Sequence, residues 1–139
     1  MLTKQEIFDR STVFLLKQGK AAKDPVGNRC FYRHPDNPDI RCAVGCLIPD
    51  HLYRPEMDGA GAVGAVLDVM TLFDNFPEEM KSAGFDKEQH LMLLMSLQNA
   101  HDGVLGTSED IEQWLEELKI IANKHDLNAD ILATAQLSN

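Results

Sequence analysis

Residues 30–48 read Cys30-Phe31-Tyr32-Arg33-His34-Pro35-Asp36-Asn37-Pro38-Asp39-Ile40-Arg41-Cys42-Ala43-Val44-Gly45-Cys46-Leu47-Ile48. An aromatic run, Cys30 to Arg33, is separated from an apolar run, Arg41 to Ile48, by Pro35-Asp36-Asn37-Pro38-Asp39. Pro presets a turn dihedral, and Asp and Asn bond their own backbone in turns, so the pattern predicts a two-stranded hairpin over about 30–33 and 41–48. Alternation would put Cys42, Val44, Cys46 and Ile48 on one face and Ala43, Gly45 and Leu47 on the other. Both faces are apolar, which predicts a strand covered on both sides, with a helix passing closely over Gly45. Pro49 ends it.

On either side of this segment the periodicity turns helical. Thr3 followed by Glu6 is a capping box, and Ile7, Phe8, Phe14, Leu15 and Leu16 supply a stripe for a helix over 3–19 that stops at Gly19. Residues 20–28 read as a loop and 49–61 as irregular, with one turn at Asp50–Tyr53. Weaker helical patterns cover 62–73, the turn from Pro77 to Met80, and 128–136. The clearest signal lies between them. Asp86 caps a helix reaching about Asp102, with Leu91, Leu94, Leu97, Gln98 and His101 on its core side. Thr107 and Asp110 open another, striped by Ile111, Trp114, Leu115, Leu118, Ile121, Ala122 and His125. The short linker at 104–106 folds these two into an antiparallel pair. Met92 and Met95 flank the stripe and fit a widened core or a groove. The expected fold is α+β: one domain over 1–139, mostly helical, with a small hairpin packed by four or five helices.

Composition bounds what such a domain does. In 139 residues, 44% are hydrophobic and 25% charged, the balance of a globular chain, and no apolar run is long enough to span a bilayer. The polar N-terminal residues lack a signal peptide's apolar core, and three Cys is an odd number. Both point to a reducing cytoplasm and no membrane partner. The formal charge is −9, with seven Lys/Arg against three Asp/Glu in residues 1–33 and six against nineteen beyond. This acidic bulk speaks against nucleic acid, whose phosphates require clustered cations, and favours a partner with a basic surface.

Three constellations could carry chemistry. Gly59-Ala60-Gly61-Ala62-Val63-Gly64 has the letters of a dinucleotide fingerprint, but Arg54–Asp58 before it does not read as a strand, so no cofactor is expected. Cys30, Cys42 and Cys46, with His34 or His51, suggest zinc. An extended strand holds Cys42 and Cys46 about 13 Å apart, too far for one ion. No metal is assigned, and a zinc-stapled module stays a minor reading. Cys42 or Cys46 with His101 and Asp102 would make a thiol nucleophile set, provided that one Cys were exposed and electropositive.

The aromatic-Arg run, the Pro-Asp turn, Cys42-Ala43-Val44-Gly45, Pro49-Asp50, Tyr53, Met57-Asp58-Gly59, Leu97–Asp102 and the Trp114 helix together resemble a small family of phage and prophage-like bacterial proteins. That family tolerates residues other than Cys at the position of Cys46. It brings no activity with it. The resemblance implies a viral accessory context, in which small proteins often bind and block host proteins.

The leading expectation is therefore a non-enzymatic interaction module, a phage-encoded accessory protein that modulates a host protein in the host cytoplasm. Its partner, a host or phage protein, would meet an acidic helical face made of Glu109, Glu112, Glu116 and Glu117, with Asp86 and Glu88. The alternative is a small thiol enzyme using Cys42 or Cys46 with His101 and Asp102.

Overall fold

The computed structural model describes residues 1–23, 31–58, 65–103 and 110–137. Its helices are α1 (Lys4–Gln18), α2 (Ala65–Asn75), α3 (Pro77–Ser82), α4 (Lys87–Asp102), α5 (Asp110–Lys124) and α6 (Ile131–Leu137). Two 3-10 turns, Gly45–Leu47 and Pro55–Met57, lie between α1 and α2.

Local signals set the helix ends. The Thr3 hydroxyl accepts from Glu6 N–H at 3.0 Å while the Glu6 carboxylate accepts from Thr3 N–H at 3.1 Å, and hydrogen bonding from the Thr3 backbone, then from its side chain, holds the Glu6 carboxyl below its usual range. Gly19 takes φ +81° and returns its N–H to Leu15 O, which closes α1. Asp86 caps α4 by accepting from Gln89 N–H. The Thr107 cap expected for α5 lies outside the described residues, as does the Gly59–Gly64 stretch.

The buried side chains form one cluster. Ile7, Phe8, Leu15 and Leu16 of α1 meet Leu93, Leu94 and Leu97 of α4 and Trp114 and Leu118 of α5. Helix α4 packs against α1, α2 and α5, and α6 lies on α1. Trp114 Nε1 donates to Ala100 O, Gln113 to Gly103 O, and Ser96 Oγ bonds His125 Nε2, so α4 and α5 run antiparallel as the short linker predicts. Met92 stands 59% exposed instead of widening the core. Among the described residues no helix is long and apolar enough to cross a membrane.

The hairpin is where the structure departs from the α+β expectation. The described residues contain no strand. Where the two arms were expected there is one isolated antiparallel bridge, Arg33 to Arg41, and residues 45–47 wind into a 3-10 turn; Cys30 lies outside the described residues. The fold is helical.

Side chains do the work that a ladder would have done. Gln18 brackets Arg41 as a neighbouring strand would, accepting from its N–H and donating to its carbonyl, both at 2.8 Å. Val44 N–H goes to Gln98 Oε1, and Ala43 O accepts from both Ser11 Oγ and Cys46 Sγ. The Asp58 carboxylate takes the N–H groups of Tyr32 and Arg33. Buried backbone groups must be paired, and here helices and loops supply the partners. The expected burial on both faces does hold for Cys42, Ala43, Val44, Leu47 and Ile48. Gly45 is indeed a close-approach residue, but what approaches is backbone: an added Cβ would lie 2.1 Å from Tyr32 O.

Candidate functional site

The chemistry-bearing side chains gather in three places. The first is the outer face of α5. Glu112 and Glu116 are exposed and face a groove of about 780 Å³ between α5 and the segment leading into α6. Leu115 and Leu132 give it an apolar floor, Asp130 adds a third carboxylate, and Lys119 is its basic residue. Glu117 lines a different, smaller groove of about 320 Å³ between α4 and α5, beside Ser96, Asn99 and Ile120. Ile120 is 59% exposed, a large apolar side chain on the solvent side of an otherwise polar face.

Asp86 and Glu88 do not join this surface. The antiparallel pairing sets the start of α4 beside the end of α5, whereas Glu112 lies at the start of α5. A 16-residue helix separates them by about 24 Å. Asp86 also serves as the α4 cap. Glu109 lies outside the described residues. The five described acids of the six named from sequence thus resolve into a Glu112–Glu116 pair, Glu117 on an adjacent groove, and a remote Asp86–Glu88 pair.

The second place is buried. His101 is fully enclosed, with Nδ1 2.7 Å from Asp102 Oδ1 and its ring stacked on Trp114 at 5.9 Å. Its Nε2 accepts from Ala22 N–H at 2.9 Å, which fixes the proton on Nδ1. Gln98 donates to the same Asp102 oxygen at 2.9 Å and accepts from Val44 N–H, so α4 is tied to the 3-10 turn. Asp110, also buried, accepts from Ala21 N–H.

This network brings His101, Asp102 and the Cys42 turn near one another, as the thiol-enzyme reading requires, but with the wrong chemistry. Both imidazole nitrogens are engaged by partners other than sulfur. Burial, and then the Asp102 charge, push the Cys42 thiol well up, and burial pushes Cys46 up to about 12. The Cys46 S–H donates to Ala43 O. Neither sulfur is a ready thiolate, and a buried neutral thiol is a poor nucleophile. Among the described residues no group of three or more His, Cys, Asp or Glu gathers to hold a metal.

The third place was not legible as a site from sequence. Arg33, Arg41, Asp50, Tyr53 and Asp58, most of them in the quoted resemblance, converge around the Gly45 turn. Asp58 accepts from the Tyr53 hydroxyl as well as from the two backbone N–H groups. Burial, then the Asp58 bond and charge, push Tyr53 above the ordinary phenol range. The Arg33 guanidinium stacks 4.2 Å over the Tyr53 ring and donates to Ile48 O. Arg33 and Arg41 both reach Asp50 Oδ1, at 2.9 and 3.2 Å. The hairpin reading placed both arginines at facing strand ends, but it carried no signal that both would reach Asp50.

Comparison with protein-family models, with curated proteins and with solved structures gives no match.

Proposed function

We propose that this protein acts by binding another protein, through the acidic groove between α5 and α6. The carrying observation is the pairing of a charged rim with an apolar floor: Glu112, Glu116 and Asp130 over Leu115 and Leu132. The fitting occupant is a basic amphipathic helix, whose apolar stripe covers the leucines while Lys and Arg meet the carboxylates. The wider charge distribution, nineteen acids against six bases beyond residue 33, supports the same sign of partner. The phage-family resemblance supports a viral accessory role in a host cytoplasm, where the partner is a host or phage protein that this one restrains. The reading assigns no catalytic step and no cofactor.

The test is affinity capture from bacterial lysate with wild type and with the E112K/E116K double variant. The partner is then measured in solution from about 50 to about 500 mM salt, a range over which exposed charges become screened. The double variant keeps its fold, because both positions are exposed, and loses the partner. Affinity that stayed flat across the salt range, or survived the reversal, would sink the proposal. The controls are D86N and E88K, which lie at the far end of α4 and should leave binding intact.

A further inference from the structure

Two arginines held by the fold converge on one exposed acid, independently of the α5 groove. The Arg33 and Arg41 side chains are only 10% and 19% exposed, whereas the Asp50 side chain between them is 78% exposed. Each arginine has anchors that do not involve Asp50. Arg33 is fixed by Ile48 O at 3.0 Å and by the Tyr53 ring; Arg41 Nε donates to Pro38 O at 3.0 Å, and Gln18 clamps its backbone. Asp58, the other nearby acid, is turned to the backbone N–H groups of Tyr32 and Arg33 and to the Tyr53 hydroxyl.

Asp50 fills the space between the guanidiniums poorly. It offers them a single oxygen, Oδ1, where a matched carboxylate would engage a guanidinium through both. Arg33 Nε is buried without a hydrogen-bond partner among the described residues. Two cations thus share one oxygen of one singly charged group. A phosphoryl group brings nearly twice the charge and three acceptor oxygens, which matches two converging guanidiniums better. An exposed ion pair contributes little, so Asp50 can swing out to solvent while the arginines stay where the fold holds them.

We propose that Arg33 and Arg41 form a receptor for a phosphate-monoester dianion, with Asp50 as its built-in competitor. An incoming phosphoryl group displaces the Asp50 carboxylate and takes both guanidiniums.

The experiment titrates full-length protein with inorganic phosphate and, separately, phenyl phosphate, at constant ionic strength held with chloride, and follows backbone and arginine side-chain resonances by NMR. Wild type shifts at residues 33, 41 and 50, and chloride alone leaves them unmoved. D50N, which removes the competing charge without changing shape, binds about fivefold tighter, the factor that an exposed ion pair of ordinary strength withholds. R41Q and R41Q/D50N lose the response while keeping the wild-type spectrum elsewhere; Arg33 is left intact because its contacts hold the turn together. Tighter binding of phenyl phosphate than of inorganic phosphate marks an organic monoester as the ligand, and equal binding marks free phosphate. The proposal is overturned if D50N binds no tighter than wild type, if R41Q responds like wild type, or if chloride moves the same resonances.

Discussion

Substituting Gly45 by alanine would put a Cβ 2.1 Å from the Tyr32 carbonyl oxygen, 2.7 Å from its carbonyl carbon and 2.8 Å from its Cα. All three are backbone atoms, so no side-chain rotation relieves the overlap. Ordinary contact begins near 3.4 Å, so the two backbones must part by about 1.3 Å (3.4 less 2.1). That displacement pulls on the bonds to both sides: Val44 N–H to Gln98, and the Tyr32 and Arg33 N–H groups to Asp58. Overpacking a tight site costs about 1–3 kcal/mol, and each buried hydrogen bond stretched out of range adds about 1 kcal/mol. The expected loss is about 3 kcal/mol, or a Tm lower by about 10 °C for a domain of this size. Urea unfolding followed by circular dichroism measures it, with G19A as the control. Gly19 has a left-handed φ of +81°, but a Cβ there would meet only an ordinary contact, Ile111 Cδ1 at 3.8 Å. G19A therefore carries only the conformational cost, about 1 kcal/mol. If G45A proved no more damaging than G19A, the close backbone approach that organises this turn would be refuted.

Three other outcomes follow from the same contacts. H101F removes the acceptor for the buried Ala22 N–H, leaving it unpaired, and takes one of two donors from Asp102; it should cost about 2–4 kcal/mol in urea unfolding, and a neutral result would break the tie between α4 and the segment after α1. Iodoacetamide at neutral pH should leave Cys42 and Cys46 unmodified in the native protein and label both on unfolding, because burial holds the two thiols protonated; rapid native labelling of either, located by peptide mapping, would restore the thiol-enzyme reading. Stability should fall as pH drops from 7 to 5. Burial lowers the pKa of His90 and of His125 below the ordinary imidazole value of about 6.5, so around and below that pH the unfolded chain binds more protons than the folded one. Each histidine contributes at most about 1.4 kcal/mol per pH unit in that window, and H125Q should flatten part of the slope; stability that rose on acidification would contradict the assignment.

The helices were legible because their causes are local. Thr3 with Glu6, Asp86 before α4 and Gly19 after α1 act within one turn, and the stripe through Trp114, Leu118 and Ile121 needs only the 3.6-residue period. The acidic groove was half legible. Glu112 and Glu116 fall on one face by spacing alone, but the sequence does not say that Asp130 and Leu132 come up opposite them, nor that Asp86 and Glu88 end at the far end of the pair. The arginine pair was missed as a site: a hairpin sets Arg33 opposite Arg41, but nothing in the sequence says that both guanidiniums reach Asp50 or that Tyr53 stacks on one of them.

The sequence by itself determined where this chain is helical, which helix faces are apolar and that most of residues 42–48 are buried, since periodicity, caps and turn formers act over a few residues. Only the tertiary structure decided what residues 31–48 become. An apolar run flanked by turns satisfies its backbone equally well in a ladder or against side chains, and the choice fell to Gln18, Asp58 and Gln98, which offer amides and a carboxylate where a second strand would have stood. Those partners lie 23 to 54 residues away from the groups they bond, and no local pattern carries information over that range; the packing of α1 and α4 brings them within reach and settles the fold as helical.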